Sequence, residues 1–356
     1  MRAEKKGEIS IITEYYDWKD MVNERELKNC AKIIINNGII VFPTETVYGI
    51  AANALSTEAV KKIYVAKGRP VDNPLIVHIA NKKQIEEICV IENEIEQKLI
   101  NAFMPGPFTL ILKKKNVIPD IVSASLDTVG IRMPSNIIAN RFIKECGVPI
   151  AAPSANVSGK PSGTIVEDIK YELDGKVDAI IDGGISDIGL ESTVVKVING
   201  VPEILRPGKI TKEDILRVIG KVNVNNKVLD KVEKDEKVES PGMKHRHYAP
   251  NTKCVLVDIL NEQIQIDKVN ELVNKNKDVC VIGFNEDKER INCKNYISIG
   301  NRGNLEEFSK RIYTELRKVD RYNVSLVIIE GVSKEGLGLA IMNRLIRTCE
   351  YNVVKA

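Results

Sequence analysis

Short apolar runs alternating with helix-period segments constrain this chain more than any other feature. A run of four to seven apolar residues between turn formers buries itself as a sheet strand, and a segment with a 3.6-residue apolar period lays one face on that sheet. Over the first two hundred residues the alternation is steady. LKNCAKIIINNG has helical spacing and ends in Gly38, which reads as its C-cap. IIVF follows as a buried strand and runs into the turn PTETVYG. Ser56 caps TEAVKKIYVAKG, a helix running into Gly68 and Pro70. PLIVHIA, FTLIL, TVGIRMP, VPIAA, DAIID, STVVKVI and PEILR read as strands. NEIEQKLINAF and IVEDIKYEL read as helices, and Ser135 caps a further one, NIIANRFIKECG. The pattern predicts an α/β domain over residues 1–220, with its core at about 23–210: a twisted mixed sheet with helices on it.

From Lys221 to Glu239 the pattern collapses. KVNVNNKVLDKVEKDEKVE holds five lysines and five acidic residues with no glycine and no aromatic, and reads as a solvated linker. The linker region, 221–250, closes with SPGMKHRHYAP. Beyond it CVLVDI, DVCVIGF, YISI and SLVIIEGV alternate with the helices NLEEFSKRIYTELRKVDRY and GLAIMNRLIRTCEY. Residues 251–356 are therefore expected to form a smaller Rossmann-like α/β domain with a parallel sheet. It has no G-x-G-x-x-G fingerprint, so nothing there points to a dinucleotide.

A formal charge of +3, with 28% charged residues, gives no polycationic character. Seven cysteines are scattered singly without a C-x-x-C pair, as in a protein kept reduced. The first residues lack the apolar run of a signal peptide, and no segment approaches the roughly 20 apolar residues of a membrane helix. These features predict a cytoplasmic protein with no membrane contact.

Four patches concentrate polar groups at strand ends and turns, where α/β proteins bind ligands. They are PTETVYG, KGRPVDNPLIVHI, TVGIRMP and APSANVSGKPSG. Lys67, Arg69 and Arg132 supply positive charge, with Arg206 of LRPG as a fourth cation. Ser154, Asn156, Ser158 and Ser162 supply hydrogen bonds in a loop able to wrap phosphate, so the set reads as an anion site. Each has a plainer reading: Lys67 and Arg69 end a helix, His78 fits a core histidine, and serine-rich loops are common. Arg132 is harder to set aside, because an arginine within VGIRMP needs a partner if it faces inward. Three histidines and unclustered cysteines make no familiar zinc site, and His245 with His247 lacks a third ligand. Neither a G-x-S-x-G elbow nor a Walker A loop is present.

Taken in order, PTETVYG, KGRPVDNPLIVHI, TVGIRMP, APSANVSGKPS, ESTVV and LRPG resemble the YrdC-like family. SPGMKHRHYAP and GLGLAIMNRLIR resemble its longer two-domain members, the threonylcarbamoyl-AMP synthases, and the likeness runs from about residue 23 to the C-terminus. It implies an enzyme that makes L-threonylcarbamoyl-AMP from L-threonine, bicarbonate and ATP with Mg2+, releasing pyrophosphate, in the first step of tRNA threonylcarbamoyladenosine formation. It assigns threonine to Thr46, His78, Arg132, Ala152 and Ser192. It assigns ATP to Lys67, Arg69, Asn73, Thr128, Ser154, Asn156, Ser162 and Arg206. Lys67 and Arg69 then neutralise charge, with no nucleophile and no metal ligand from protein side chains. Beside such a site, Arg246, His247 and Tyr248 read as a lid over the nucleotide. At His245 the chain departs from the family's tyrosine, keeping a ring and losing the hydroxyl. The competing class is a double-stranded RNA or tRNA binder without adenylation chemistry. Lys113–Lys115 carry no interleaved aromatics, which weakens it, while tRNA or a downstream transferase complex stays among the expected partners. Carbamoyl transfer of the hydrogenase-maturation kind would need an acylphosphatase-like segment and zinc fingers, and the chain shows neither.

Overall fold

The computed structural model describes residues 11–231, 239–241 and 247–355, and builds them around two sheets. The first is mixed and twelve-stranded. Its centre brings the same end of several strands together. Ile76–His78 runs parallel to Thr128–Arg132 with His78 opposite Arg132. Phe108–Lys114 lies antiparallel on the other side with Thr109 opposite Arg132. Thr193–Ile198 follows in parallel, with Thr193 opposite Phe108, and Val201–Arg206 closes antiparallel on it. Register alone therefore places His78, Arg132, Thr109, Ser192 and Arg206 along one rim of the sheet.

The second sheet is wholly parallel, in the order Asn295–Ser298, Val279–Gly283, Leu326–Glu330, Lys253–Asp258 and Val353–Lys355. Parallel strands are buried on both faces, and VCVIG is buried throughout. Along Lys253–Asp258, Val255 and Val257 pack in a cluster with Ile266 and Val269 of the helix Glu262–Lys275. The alternate residues, Cys254 and Leu256, join Phe308 of Leu305–Val319 and Leu345 of Leu337–Thr348. Val47, Leu190 and Tyr248 belong to that same cluster, so the two sheets' domains share apolar core rather than touching at a polar seam.

Local details differ from expectation in three places. Asn136, not Ser135, caps the helix Ile137–Cys146: its side chain accepts from the Ala139 amide at 3.0 Å, a bond the preceding serine is one residue too early to make. The helix Glu24–Ile35 ends at Asn36, with Asn37 in the left-handed region at φ 63°, so Gly38 is no cap. Gly38 serves instead to let chains approach, since a Cβ there would stand 2.4 Å from Ile33 Cγ2. The stretch expected as solvated linker is docked over its first part. Asn223–Val224 pairs with Val201–Arg206, and Val228 is buried with its carbonyl bonded by Asn343. Among the described residues, no helix is long and apolar enough to cross a membrane.

Candidate active site

A cavity opens over the rim of the first sheet. Its lining includes Thr46, His78, Arg132, Ala152 and Ser192, together with Arg69, Ser154 and Arg206. His247 and Tyr248 of the linker also face it.

Arg132 is buried at 4% exposure at the end of its strand. Its Nη1 donates to Thr46 Oγ1 at 2.8 Å and its Nη2 to Glu45 Oε1 at 2.7 Å. Its Nε has no partner among the described residues, an unusual state for a buried donor. Burial alone would raise the Glu45 carboxyl, but the Arg132 guanidinium outweighs it and holds the group below its ordinary range. His78, beside Arg132, is pushed down to about 3, by burial first and by the Arg132 charge second. It is neutral at physiological pH and can only exchange a hydrogen bond.

The loop 152–163 is stitched to the turn PTETVYG. Ala155 donates to Tyr48 O at 2.7 Å, Tyr48 to Gly163 O at 2.9 Å, and Gly49 bridges Ser154. Gly49 has to be glycine for that approach, because a Cβ would meet Phe42 Cε1 at 2.9 Å. Lys67 fastens the loop from beneath. Its Nζ donates to Ser154 O and Asn156 O, both at 2.5 Å, and burial followed by the Arg69 charge lowers its pKa well below the usual lysine value. Ser154 Oγ donates to Asn156 Oδ1 at 2.6 Å. Arg69 is anchored by Asn73 O at 3.2 Å and Pro74 O at 2.9 Å. At the far end Arg206 donates to Ser192 through Nε to the carbonyl, 3.1 Å, and through Nη2 to the hydroxyl, 3.2 Å. That hydroxyl also pairs with Thr109 Oγ1 at 2.8 Å.

The remaining expected residues stand one layer back or apart. Lys67, Asn73, Asn156 and Ser162 do not line the cavity. Asn73 Nδ2 reaches His247 Nε2 at 3.5 Å, its Oδ1 has no partner among the described residues, and Ser162 donates to Glu191 at 2.5 Å. Thr128 is elsewhere: at the opposite end of the strand from Arg132, it donates to Glu239 at 3.0 Å, a carboxylate also held by Lys196 at 2.6 Å. Of the lid, Arg246, like His245, lies outside the described residues. Tyr248 is not a loose cover: it is buried, stacks on Tyr313 at 5.4 Å and passes its carbonyl to Thr348.

Reading the sequence missed Glu191, which lines the cavity, and Glu45, which stands behind it on Arg132. A glutamate between two threonines in PTETVYG, and one opening ESTVV, were the available signals. Glu191 is pushed down to about 2: burial opposes ionisation, but Arg344, Arg206 and Ser162 more than compensate. Among the described residues, no group of three or more His, Cys, Asp or Glu could hold a metal ion. Three guanidinium groups and a set of hydroxyls on one cavity suit a substrate with several anionic groups.

Known proteins match this arrangement closely. A family model described as “Telomere recombination” matches residues 32–208, and one described as “Threonylcarbamoyl-AMP synthase, C-terminal domain” matches 210–349. The threonylcarbamoyl-AMP synthase of Bacillus subtilis is 43% identical over 335 residues, 94% of this chain and 95% of that one. The crystal structure of Pyrococcus abyssi Sua5 complexed with L-threonine superposes with a TM-score of 0.90 at 39% identity, covering 97% of this chain and all of that one (100%). A putative threonylcarbamoyl-AMP synthase of Methanocaldococcus jannaschii is 38% identical over 207 residues, 58% of this chain and 97% of that protein. With both halves matched and nearly full-length relatives, the chain belongs to the two-domain threonylcarbamoyl-AMP synthase family.

Proposed function

We propose that the cavity binds L-threonine at its Arg132 end and ATP at its Arg69–Arg206 end, and there forms L-threonylcarbamoyl-AMP. The observation that carries this is the buried Arg132, its Nε without a partner among the described residues, set among Thr46, His78 and Ser192 with two further guanidiniums on the same cavity. Threonine and bicarbonate combine to N-carboxythreonine and water. Its new carboxylate attacks the α-phosphorus of ATP, the P–O bond to the leaving group breaks, and pyrophosphate departs.

Such an in-line displacement needs alignment and charge neutralisation more than a nucleophile from the protein. Arg132 takes the threonine carboxylate. Glu45 keeps the buried guanidinium paired and aimed before the substrate arrives. Neutral His78 serves as a hydrogen-bonding wall. Arg69 and Arg206 face the phosphates, and Lys67 acts through the loop 152–163 that it pins. The magnesium ion enters as part of MgATP. The two carboxylates near the cavity do not suit it as ligands, because Glu45 is committed to Arg132 and Glu191 to Ser162, Tyr313 and Arg344. His247 and Tyr248 close the nucleotide side and keep water from the mixed anhydride. The adenylate is an activated carbonyl donor for a transferase acting on tRNA.

Threonine- and bicarbonate-dependent exchange of labelled pyrophosphate into ATP tests the reading. The expected result is exchange only when both co-substrates are present. Exchange that ignores threonine would overturn it.

A further inference from the structure

No described side chain of residues 251–355 lines the cavity, yet that domain holds two residues that do. Glu191 is gripped from both domains. Its Oε1 accepts from Ser162 Oγ at 2.5 Å in the first domain. Its Oε2 accepts from Arg344 Nε at 2.8 Å and from Tyr313 OH at 3.0 Å in the second. Arg344 is 1% exposed, and its other nitrogens reach main chain as well: Nη2 donates to Glu191 O at 3.3 Å, and Nη1 to Pro207 O at 3.0 Å and to the side chain of Asn343 at 2.7 Å. Its guanidinium also lies 5.6 Å from the centre of the Tyr248 ring, which stacks on Tyr313.

The positions it grips are informative. Residues 191 and 207 are the immediate neighbours of Ser192 and Arg206, the hydrogen-bonded pair that ends two adjacent strands at the cavity rim. One planar guanidinium thus ties the residue before Ser192 to the residue after Arg206, the two chain segments that meet in that hydrogen-bonded pair. A salt bridge serving stability alone has no need to span these two points. Replacing a buried pair by apolar packing is often neutral or stabilising, so a buried arginine this elaborately placed acts on geometry.

From this we infer that Arg344 and Tyr313 are positioning residues for adenylate synthesis. Acting through Glu191 and Pro207, they set where Ser192 and Arg206 stand, and this is how the C-terminal domain takes part in the reaction. The inference rests on the proposed reaction at the cavity.

The test uses full-length protein with three substitutions, Arg344→Lys, Tyr313→Phe and Glu191→Gln, and the Arg344→Lys/Glu191→Gln double variant. The fraction of active sites is titrated by the first-turnover release of pyrophosphate, and kcat and KM are then measured per titrated site. Arg344→Lys is expected to lower kcat/KM about tenfold, the loss of one buried charge-assisted contact, and Tyr313→Phe by severalfold. The double variant should lose little more than the worse single, as coupled groups do. A purely structural role would lower the active fraction and melting temperature while leaving kcat and KM per site unchanged, and that result overturns the inference. Should Arg344→Lys not fold, Tyr313→Phe, which removes one hydroxyl, decides in the same way. Absence of product from the unsubstituted protein would instead overturn the reaction itself, so the two failures are distinguishable.

Discussion

Arg132 is the residue on which most depends. Removing its side chain strands Glu45 without its counter-charge and, on the proposed reading, takes away the donor for the threonine carboxylate. Arg132→Ala is expected to raise the threonine KM by about two orders of magnitude, with a much smaller change in the ATP KM. It should also lower stability by about 3–5 kcal/mol, the usual cost of breaking a buried pair. Steady-state kinetics with each substrate varied, beside urea denaturation, separate the two effects; an unchanged threonine KM contradicts the clamp. Glu191 makes a pH prediction. Its folded carboxyl is pushed from 4.5 to about 2, so ionised Glu191 stabilises the fold fully above its unfolded value. That contribution is lost as pH falls from about 4.5 towards 2. Its size is of order 3 kcal/mol, and Glu191→Gln should lack that part of the acid dependence in denaturation curves collected across this range. Residue-level legibility was uneven. Cations and hydroxyls at strand ends announced themselves, as Arg132 did by sitting in an apolar strand. Glu45 and Glu191 did not, because a carboxylate's worth here comes from arginines 87 and 153 residues away along the chain.

At the scale of elements, the decisive unit is the loop 152–163 together with the helix Thr57–Lys67 beneath it. The loop carries Ser154, Asn156 and Ser162, yet only Ser154 faces the cavity; the others shape its path. Lys67→Met keeps the stem's volume and leaves two carbonyls, of Ser154 and Asn156, without their ammonium donor. The expected outcome is a loop that exchanges its amide hydrogens faster and an ATP KM raised about tenfold, from roughly 1–3 kcal/mol of lost hydrogen bonding. Hydrogen exchange read by mass spectrometry reports the first, and unchanged protection of 152–163 would contradict it. Elements were the most legible level. Apolar period and turn chemistry located the strands that build the rim and the helices that support them, including the caps at Ser56 and Gly68. The local failures share one cause: neighbouring residues could each serve, and tertiary geometry chose between them. Asn136 displaced Ser135, and Val228 found a crevice that made order out of a stretch composed like a solvated linker.

At the scale of the whole molecule, the sequence pointed to two α/β units but did not reveal how tightly they are joined. The shared apolar cluster of Val47, Leu190, Tyr248 and the second domain's helices is assembled from residues far apart in sequence. So is the Glu191–Arg344–Tyr313 network, and neither has a local signature. Together they explain why SPGMKHRHYAP is more than a cover. Its described end is a peg: Tyr248 is wedged between the domains while His247 faces the cavity, near Asn73. The whole assembly serves one claim, that the cavity condenses threonine, bicarbonate and ATP into a mixed anhydride. The most direct measurement is mass-spectrometric detection of threonylcarbamoyl-AMP, with stoichiometric pyrophosphate, after incubating the purified chain with L-threonine, labelled bicarbonate and MgATP. The expected product is an adenylate that carries the bicarbonate carbon and vanishes when any one of the three substrates is left out. ATP cleavage without that adenylate, or RNA binding with no turnover at all, would contradict it.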